Sequence, residues 1–356
     1  SKTFRVSVVQ ISAVPTLTQI GYALGILFFL PLGDRANRRL LIVVLSAANT
    51  LALAAIAVSP NFTWLAIASL INGITATVPQ LIVPFAAQIS PPQQRGQTVG
   101  FVMSGLLAGI MLSRMVSGLA GEWLGWRSIF WIAAALMGGL AVLLASQLPH
   151  VASSIRMSYW GLMRSLPKLL IEYPVLRETA ITGAALFAAY SGFWAMLPFL
   201  LEQPPYYLGS QVAGSFGLVG IIGAIAAPHV GKIADRKSPR LTLGIAIALL
   251  ATSFVVLWGL RTIFLGLIIG AILLDLGTQT GQISNQARIY SLPVEAHNRI
   301  TTIYMVSFFA GGSLGSWLAS YSWNLAGWTG VCLVGLLFTG IALGIYWLKT
   351  PSGKSF

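Results

Sequence analysis

The chain is written as long apolar runs separated by short polar gaps. The runs fall near residues 12–32, 40–58, 63–89, 98–120, 127–146, 179–200, 212–233, 241–259, 263–287, 300–321 and 328–348. Each is close to the roughly 20 residues that an α-helix needs to cross a hydrocarbon core about 30 Å thick. Inside lipid the backbone must satisfy its own hydrogen bonds, which a helix does within one segment. The pattern therefore predicts eleven membrane-spanning helices.

Composition agrees with this reading. Hydrophobic residues make up 56% of the 356 and charged residues only 8%, against about a quarter charged in a soluble domain. The net charge of +13 does not point to nucleic acid, because the Lys and Arg residues sit in gaps between spans and not on one polar face. If the gap holding Arg35, Arg38 and Arg39 is placed in the cytoplasm, alternation puts sixteen basic residues inside. Only Lys2, Arg5, Arg127 and Arg261 fall outside, and Arg114 lies within a span. This positive-inside bias predicts a multi-pass protein of the cytoplasmic membrane. Cys332 is the single cysteine, so no internal disulfide is possible and no metal site is expected.

Several landmarks recur at nearly one offset. Asp34 in "GDRANRR" is answered by Asp235 in "ADRKSPR", 201 residues on; Arg95 by Arg299, 204 on; Trp126 by Trp328, 202 on. One unit has been written twice, as in transporters made of parallel halves. Two spans precede the second Asp-Arg loop and one precedes the first, so the expectation is that a first helix is missing from the front, and the spans are numbered 2 to 12. Between the halves, residues 147–178 carry Trp160, Met163, Leu166 and Leu170 at helical spacing. They predict an amphipathic helix on the inner membrane surface that tethers the halves.

The duplicated halves, the D-R-x-x-R-R loop after span 2, its weaker copy after span 8 and the long linker resemble the major facilitator superfamily. The stretches "LLDLGTQTGQISNQARIYSL" and "NRITTIYMVSFFAGGSLGSW" are similar to its bacterial efflux permeases. The resemblance implies an all-α membrane fold of two pseudo-symmetric six-helix bundles, with eleven of the twelve helices present. It divides the chain into an N-terminal bundle (1–146), a linker (147–178), a C-terminal bundle (179–349) and a tail (350–356). It also implies a cytoplasmic gate motif at Gly33, Asp34, Arg35, Arg38 and Arg39, echoed at Gly231, Asp235 and Arg236. In that gate Asp34 would meet the start of span 11 near Arg299, where unpaired backbone N–H groups attract a carboxylate. The family pattern has Gly where this chain has Leu30, and the second copy keeps it as Gly231.

Arg114 in span 5 and Asp275 in span 10 are the two ionisable groups read as lying well inside spans. At the bilayer centre each costs about 2.5–3.5 kcal/mol, so neither is expected to face lipid. They are the candidates for proton and substrate coupling. Gln279, Gln282 and Gln286 follow Asp275 at steps of four, three and four, which puts all four on one helix face. The family fold lines its cavity with spans 1, 4, 7 and 10. Those glutamines therefore join Asn72 and Thr75 of span 4, near Pro79, and Phe187, Tyr190 and Trp194 of span 7 as expected cavity wall.

The expected function is secondary active transport by alternating access, as proton-coupled efflux of a sugar- or drug-like molecule. Uptake by symport is the alternative on the same scaffold. No nucleophile, base or metal constellation marks an enzyme, and no cofactor is implied. The expected partners are the small-molecule substrate, protons and the lipid bilayer, with the protein acting as a monomer.

Overall fold

The computed structural model describes residues 4, 6–35, 37–91, 95–149, 159–216, 239–292 and 297–348. These form helices, with no strand among them. In chain order they are α1 (Val8–Arg35), α2 (Arg38–Ala57), α3 (Phe62–Thr75), α4 (Val78–Ile89), α5 (Arg95–Trp123), α6 (Trp126–Gln147), α7 (Tyr159–Glu172), α8 (Pro174–Leu201), α9 (Ser210–Ser215), α10 (Pro239–Gly259), α11 (Phe264–Tyr290) and α12 (His297–Trp347). Eight helical stretches among the described residues are long and apolar enough to cross a membrane, one of them the 49-residue Arg299–Trp347. Most of the run at 212–233 lies outside the described residues.

Local chemistry sets the ends. Asn37 and Asn61 sit in extended conformations and their side chains accept hydrogen bonds from Leu40 N and Trp64 N, capping α2 and α3. The single run 63–89 divides at Ala76–Thr77, where Pro79 stands in the first turn of α4 and cannot supply the N–H that would continue α3. The runs 300–321 and 328–348 join as α12, which breaks at Ala326 and Gly327, the latter at φ +56°. Its repeat partner Gly125, at φ +81°, starts α6. Both turns need the left-handed backbone that glycine adopts without strain. Pro174 starts α8 five residues ahead of the apolar run, so Glu178, assigned to the linker by its charge, lies inside the helix.

Large apolar side chains such as Leu51, Leu136 and Leu333 point outward, while Ser46, Asn49, Ser69, Thr182 and Ser253 are buried between helices. This is the arrangement expected where lipid is the solvent and interhelical hydrogen bonds hold the bundle. Asn49 Nδ2 of α2 donates to Asn72 O, Asn72 Oδ1 and Thr75 Oγ1 of α3 at 3.1, 3.0 and 3.0 Å. Helices α8, α10, α11 and α12 share one apolar core containing Phe193, Leu250, Leu274 and Trp328. The most extensive pairing is α8 with α12. A Cβ on Gly311 or Gly315 would strike the carbonyls of Ala184 or Ala188, so these two backbones touch. Along α5, the repeat counterpart of the first part of α12, Gly105 and Gly109 face open space.

Contacts between the two sets of helices run through α1 with α12 and α5 with α9. The repeat exchanges these two pairs, since α5 corresponds in sequence to the start of α12 and α1 to the apolar run near 212–233, whose first residues lie in α9. Helix α7 lies across the end of the molecule that carries the basic loops. Its buried side chains are Leu162, Leu166 and Leu169. Trp160, expected on that apolar face, is instead 68% exposed, while Met163, Leu166 and Leu170 of the same row pack in one buried cluster. Leu166 and Leu169 join Ile26 of α1, Leu176 of α8, Ile289 of α11 and Ile300 and Ile303 of α12 in one cluster. Tyr159 Oη donates to Phe28 O at 3.2 Å and Arg299 Nη1 to Ser165 Oγ at 3.0 Å. Partial burial raises the Tyr159 pKa above the ordinary phenol value, so that donor stays protonated at neutral pH. Helix α7 is thus a cover packed on both sets of helices.

Candidate transport site

Two arginines that follow the Asp-Arg sequences make the same kind of contact. Arg39 donates to Ala145 O in the last turn of α6, and Arg240 donates to Tyr346 O in the last turn of α12 at 2.8 Å. Both contacts span 106 residues, and the pairs are related by the 201-residue offset. Each guanidinium meets carbonyls that a helix C-terminus leaves unsatisfied, where the dipole is negative. Arg38 Nε likewise donates to Gly33 O at 2.7 Å. Gly33 lies against Leu81 of α4, where a Cβ would come 2.7 Å from Leu81 Cδ2. The side chains of Asp34, Arg35 and Arg114, and all of Gly231, Asp235 and Arg236, lie outside the described residues.

Helices α1 and α12 run antiparallel along their length. Ser12 hydrogen-bonds Ser320, a Cβ on Gly312 would lie against Gln19 Oε1, and the rings of Tyr22 and Phe309 are 4.4 Å apart. Continuing that register carries Asp34 to the level of the first turn of α12.

Asp275 lies near the middle of the 27-residue α11 and is 4% exposed. Gln279, Gln282 and Gln286 are half-buried. Other positions of α11 make its described contacts with α8 and α10. Gly281, Asn285 and Arg288 turn toward α8, through Leu186, Thr182 and Glu178, while Gly270 and Gly277 turn toward α10, through Leu257 and Leu250. On α8 a half-buried aromatic row is formed by Phe187, Tyr190 and Trp194. Phe187 stacks on Tyr190 at 5.7 Å and on Phe308 at 4.0 Å, and Tyr190 lies 6.0 Å from Trp194. Asn72 and Thr75 are engaged with Asn49, as described above.

Sequence reasoning missed two groups. Gln80 Nε2 donates to Tyr22 Oη at 3.5 Å, and Tyr22 reaches the α8 row through Phe309, 5.3 Å from Phe187. Polar residues on two separate helices carry no shared spacing that would have revealed them. The second group is an ion pair between Arg288 Nη2 and Glu178 Oε2 at 2.6 Å, with side chains 12% and 4% exposed. Asp275 and Arg114 are therefore not the only ionisable residues inside the helices. The signal available was Pro174, whose place as a helix starter brings Glu178 into α8.

The sequence model of the Major Facilitator Superfamily matches residues 1–293. The chain belongs to the Major Facilitator Superfamily. Among superfamily relatives, the uncharacterized transporter YgaY of Escherichia coli O157:H7 is 37% identical over 347 residues, covering 98% of this chain and 88% of its own. A probable sugar efflux transporter of Pasteurella multocida is 24% identical, covering 97% and 84%. The crystal structure of the nucleoside transporter NupG superimposes with a TM-score of 0.74 at 15% identity, over 96% of this chain and 90% of that one. The two share the superfamily fold. The chain is accordingly an integral membrane transporter of small molecules.

Proposed function

We propose that this transporter is a proton-coupled exporter of a sugar- or drug-like molecule in the cytoplasmic membrane. It works by rocking an N-terminal bundle (1–146) against a C-terminal one (179–349) with residues 147–178 as linker. The observation that carries the reading is Asp275. A carboxylate buried mid-span is expensive to keep, and Asp275, 4% exposed, stands at one end of a row of half-buried amides on one face of α11. Asp275 carries the proton, and Arg114 is its ion partner or an anion contact from the other bundle. Gln279, Gln282 and Gln286 offer hydrogen bonds, while Tyr190 and Trp194 offer flat apolar faces of the kind that hold sugar rings and drugs. Asn72 and Thr75 hold the α2–α3 wall. At the cytoplasmic end Asp34, level with the first turn of α12, closes the gate with Arg35, while Arg38 and Arg39 fix the helix ends beneath it; Gly231, Asp235 and Arg236 repeat the device. The likeness to a sugar efflux transporter supports the direction.

The test is transport into inverted vesicles under an imposed pH gradient, with lactose as sugar probe and ethidium as drug probe. Acid-inside vesicles are expected to accumulate one of them, and Asp275→Asn to remove the gradient-driven component while membrane insertion is unchanged. Wild-type coupling in Asp275→Asn contradicts the assignment. Accumulation only with the gradient reversed identifies an uptake symporter.

A further inference from the structure

The Glu178–Arg288 pair has no part in the mechanism above, and its surroundings are not those of a structural staple. Thr182 Oγ1 donates to Asn285 Oδ1 at 3.3 Å one turn above it. Arg288 Nη1 and Asn285 Nδ2 are buried without a hydrogen-bond partner among the described residues. Buried ion pairs favour stability only when their remaining donors and acceptors are satisfied, and an apolar pair of the same size generally packs as well. A pair that keeps spare donors fits a group whose charge changes during the cycle.

Its position gives that change a consequence. Glu178 is in the second turn of α8 and Arg288 in the last turn of α11, both at the cytoplasmic end. Leu166 and Leu169 of the α7 cover, with Leu176, Ile289, Ile300 and Ile303, seal this end. Among the described residues Glu178 pairs with Arg288 on α11; the Tyr304 ring of α12 lies against Gly183, five residues further along α8, and Arg299 of α12 is engaged with Ser165. Helix α7 keeps Arg164 and Lys168 exposed, and Arg177 on α8 is exposed too.

We propose that Glu178 is a second proton site, on the cytoplasmic side, whose protonation releases Arg288 and lifts the α7 cover. A proton from cytoplasmic water forms an O–H bond on Glu178, the ion pair is lost and Arg288 keeps its charge. The pocket passes from neutral to singly positive. A lone positive charge in a dry pocket is unfavourable, so water enters to meet Arg288 Nη1 and Asn285 Nδ2 as the apolar seal opens. The proposal rests on the alternating-access reading but not on Asp275.

The test uses the full chain in proteoliposomes, with Cys332→Ser and a reporter cysteine at Met163, which packs against the seal. N-ethylmaleimide labelling is measured from pH 8 to 5 and normalised to exposed Glu172→Cys. Labelling is expected to rise at least fivefold as pH falls. Glu178→Gln is expected to label fast at every pH. Glu178→Asp is expected to keep a displaced pH response, and the apolar double variant Glu178→Leu/Arg288→Met to label slowly at every pH. The wild-type pH profile in Glu178→Gln or in the double variant overturns the proposal, as does a flat wild-type profile. Asp275→Asn should leave this profile intact, so failure of the Asp275 assignment shows only in the transport assay.

Discussion

Asn49 shows how a single side chain holds helices together in this solvent. The two N–H groups of its amide are shared among three acceptors on α3, and in lipid the alternative to those bonds is a set of unsatisfied polar atoms. Asn49→Ala is expected to lower stability by about 1 kcal/mol, read as an earlier unfolding transition in a detergent titration, with membrane insertion unchanged. At this scale little was legible in advance. Asp275 and the amides at 279, 282 and 286 stood out because one helix carries them all at helical spacing. Asn49, Tyr22 and Gln80 did not, because their meaning lies in partners on other helices. Glu178 was misplaced because its charge ended the apolar run, although Pro174 marked the true start of the helix.

Among elements, the decisive contact is the meeting of α8 and α12. Gly311 and Gly315 bring the backbones together at Ala184 and Ala188, and the α8 aromatic row is positioned by that approach. A side chain at Gly315 has nowhere to go, because the obstructing atoms are backbone. Gly315→Val is expected to cost about 3 kcal/mol or more and to abolish recovery of monodisperse protein, whereas Gly340→Ala, with open space around its Cβ position, is expected to be neutral. The spans themselves were legible because lipid demands length and apolarity together. Their finer breaks, at Ala76–Thr77 and at Ala326–Gly327, follow from a proline and a left-handed glycine, which hydropathy does not register. The tether was legible as an amphipathic helix, while its role as a cover was not. Periodicity locates an apolar face but not what that face will meet.

For the whole molecule, the duplication explains more than the number of helices. Arg39 and Arg240 make the same carbonyl contact 201 residues apart, and the contacts α1–α12 and α5–α9 exchange under the same relation. Two similar units joined this way can pivot, closing one end while opening the other. The repeat also supplies symmetric reporter positions. Leu40 and Leu241 are exposed at the starts of α2 and α10, the end proposed to face the cytoplasm, and Leu124 and Leu325 are exposed at the opposite end, each pair separated by 201 residues. With Cys332→Ser and spin labels at one pair or the other, electron–electron resonance reports both ends of the pivot. On lowering the pH the Leu40–Leu241 distance is expected to lengthen while the Leu124–Leu325 distance shortens, and Asp34→Asn is expected to favour the longer cytoplasmic distance already at neutral pH. If both distances stay fixed, or lengthen together, the two halves do not rock and the transport cycle proposed for them is wrong.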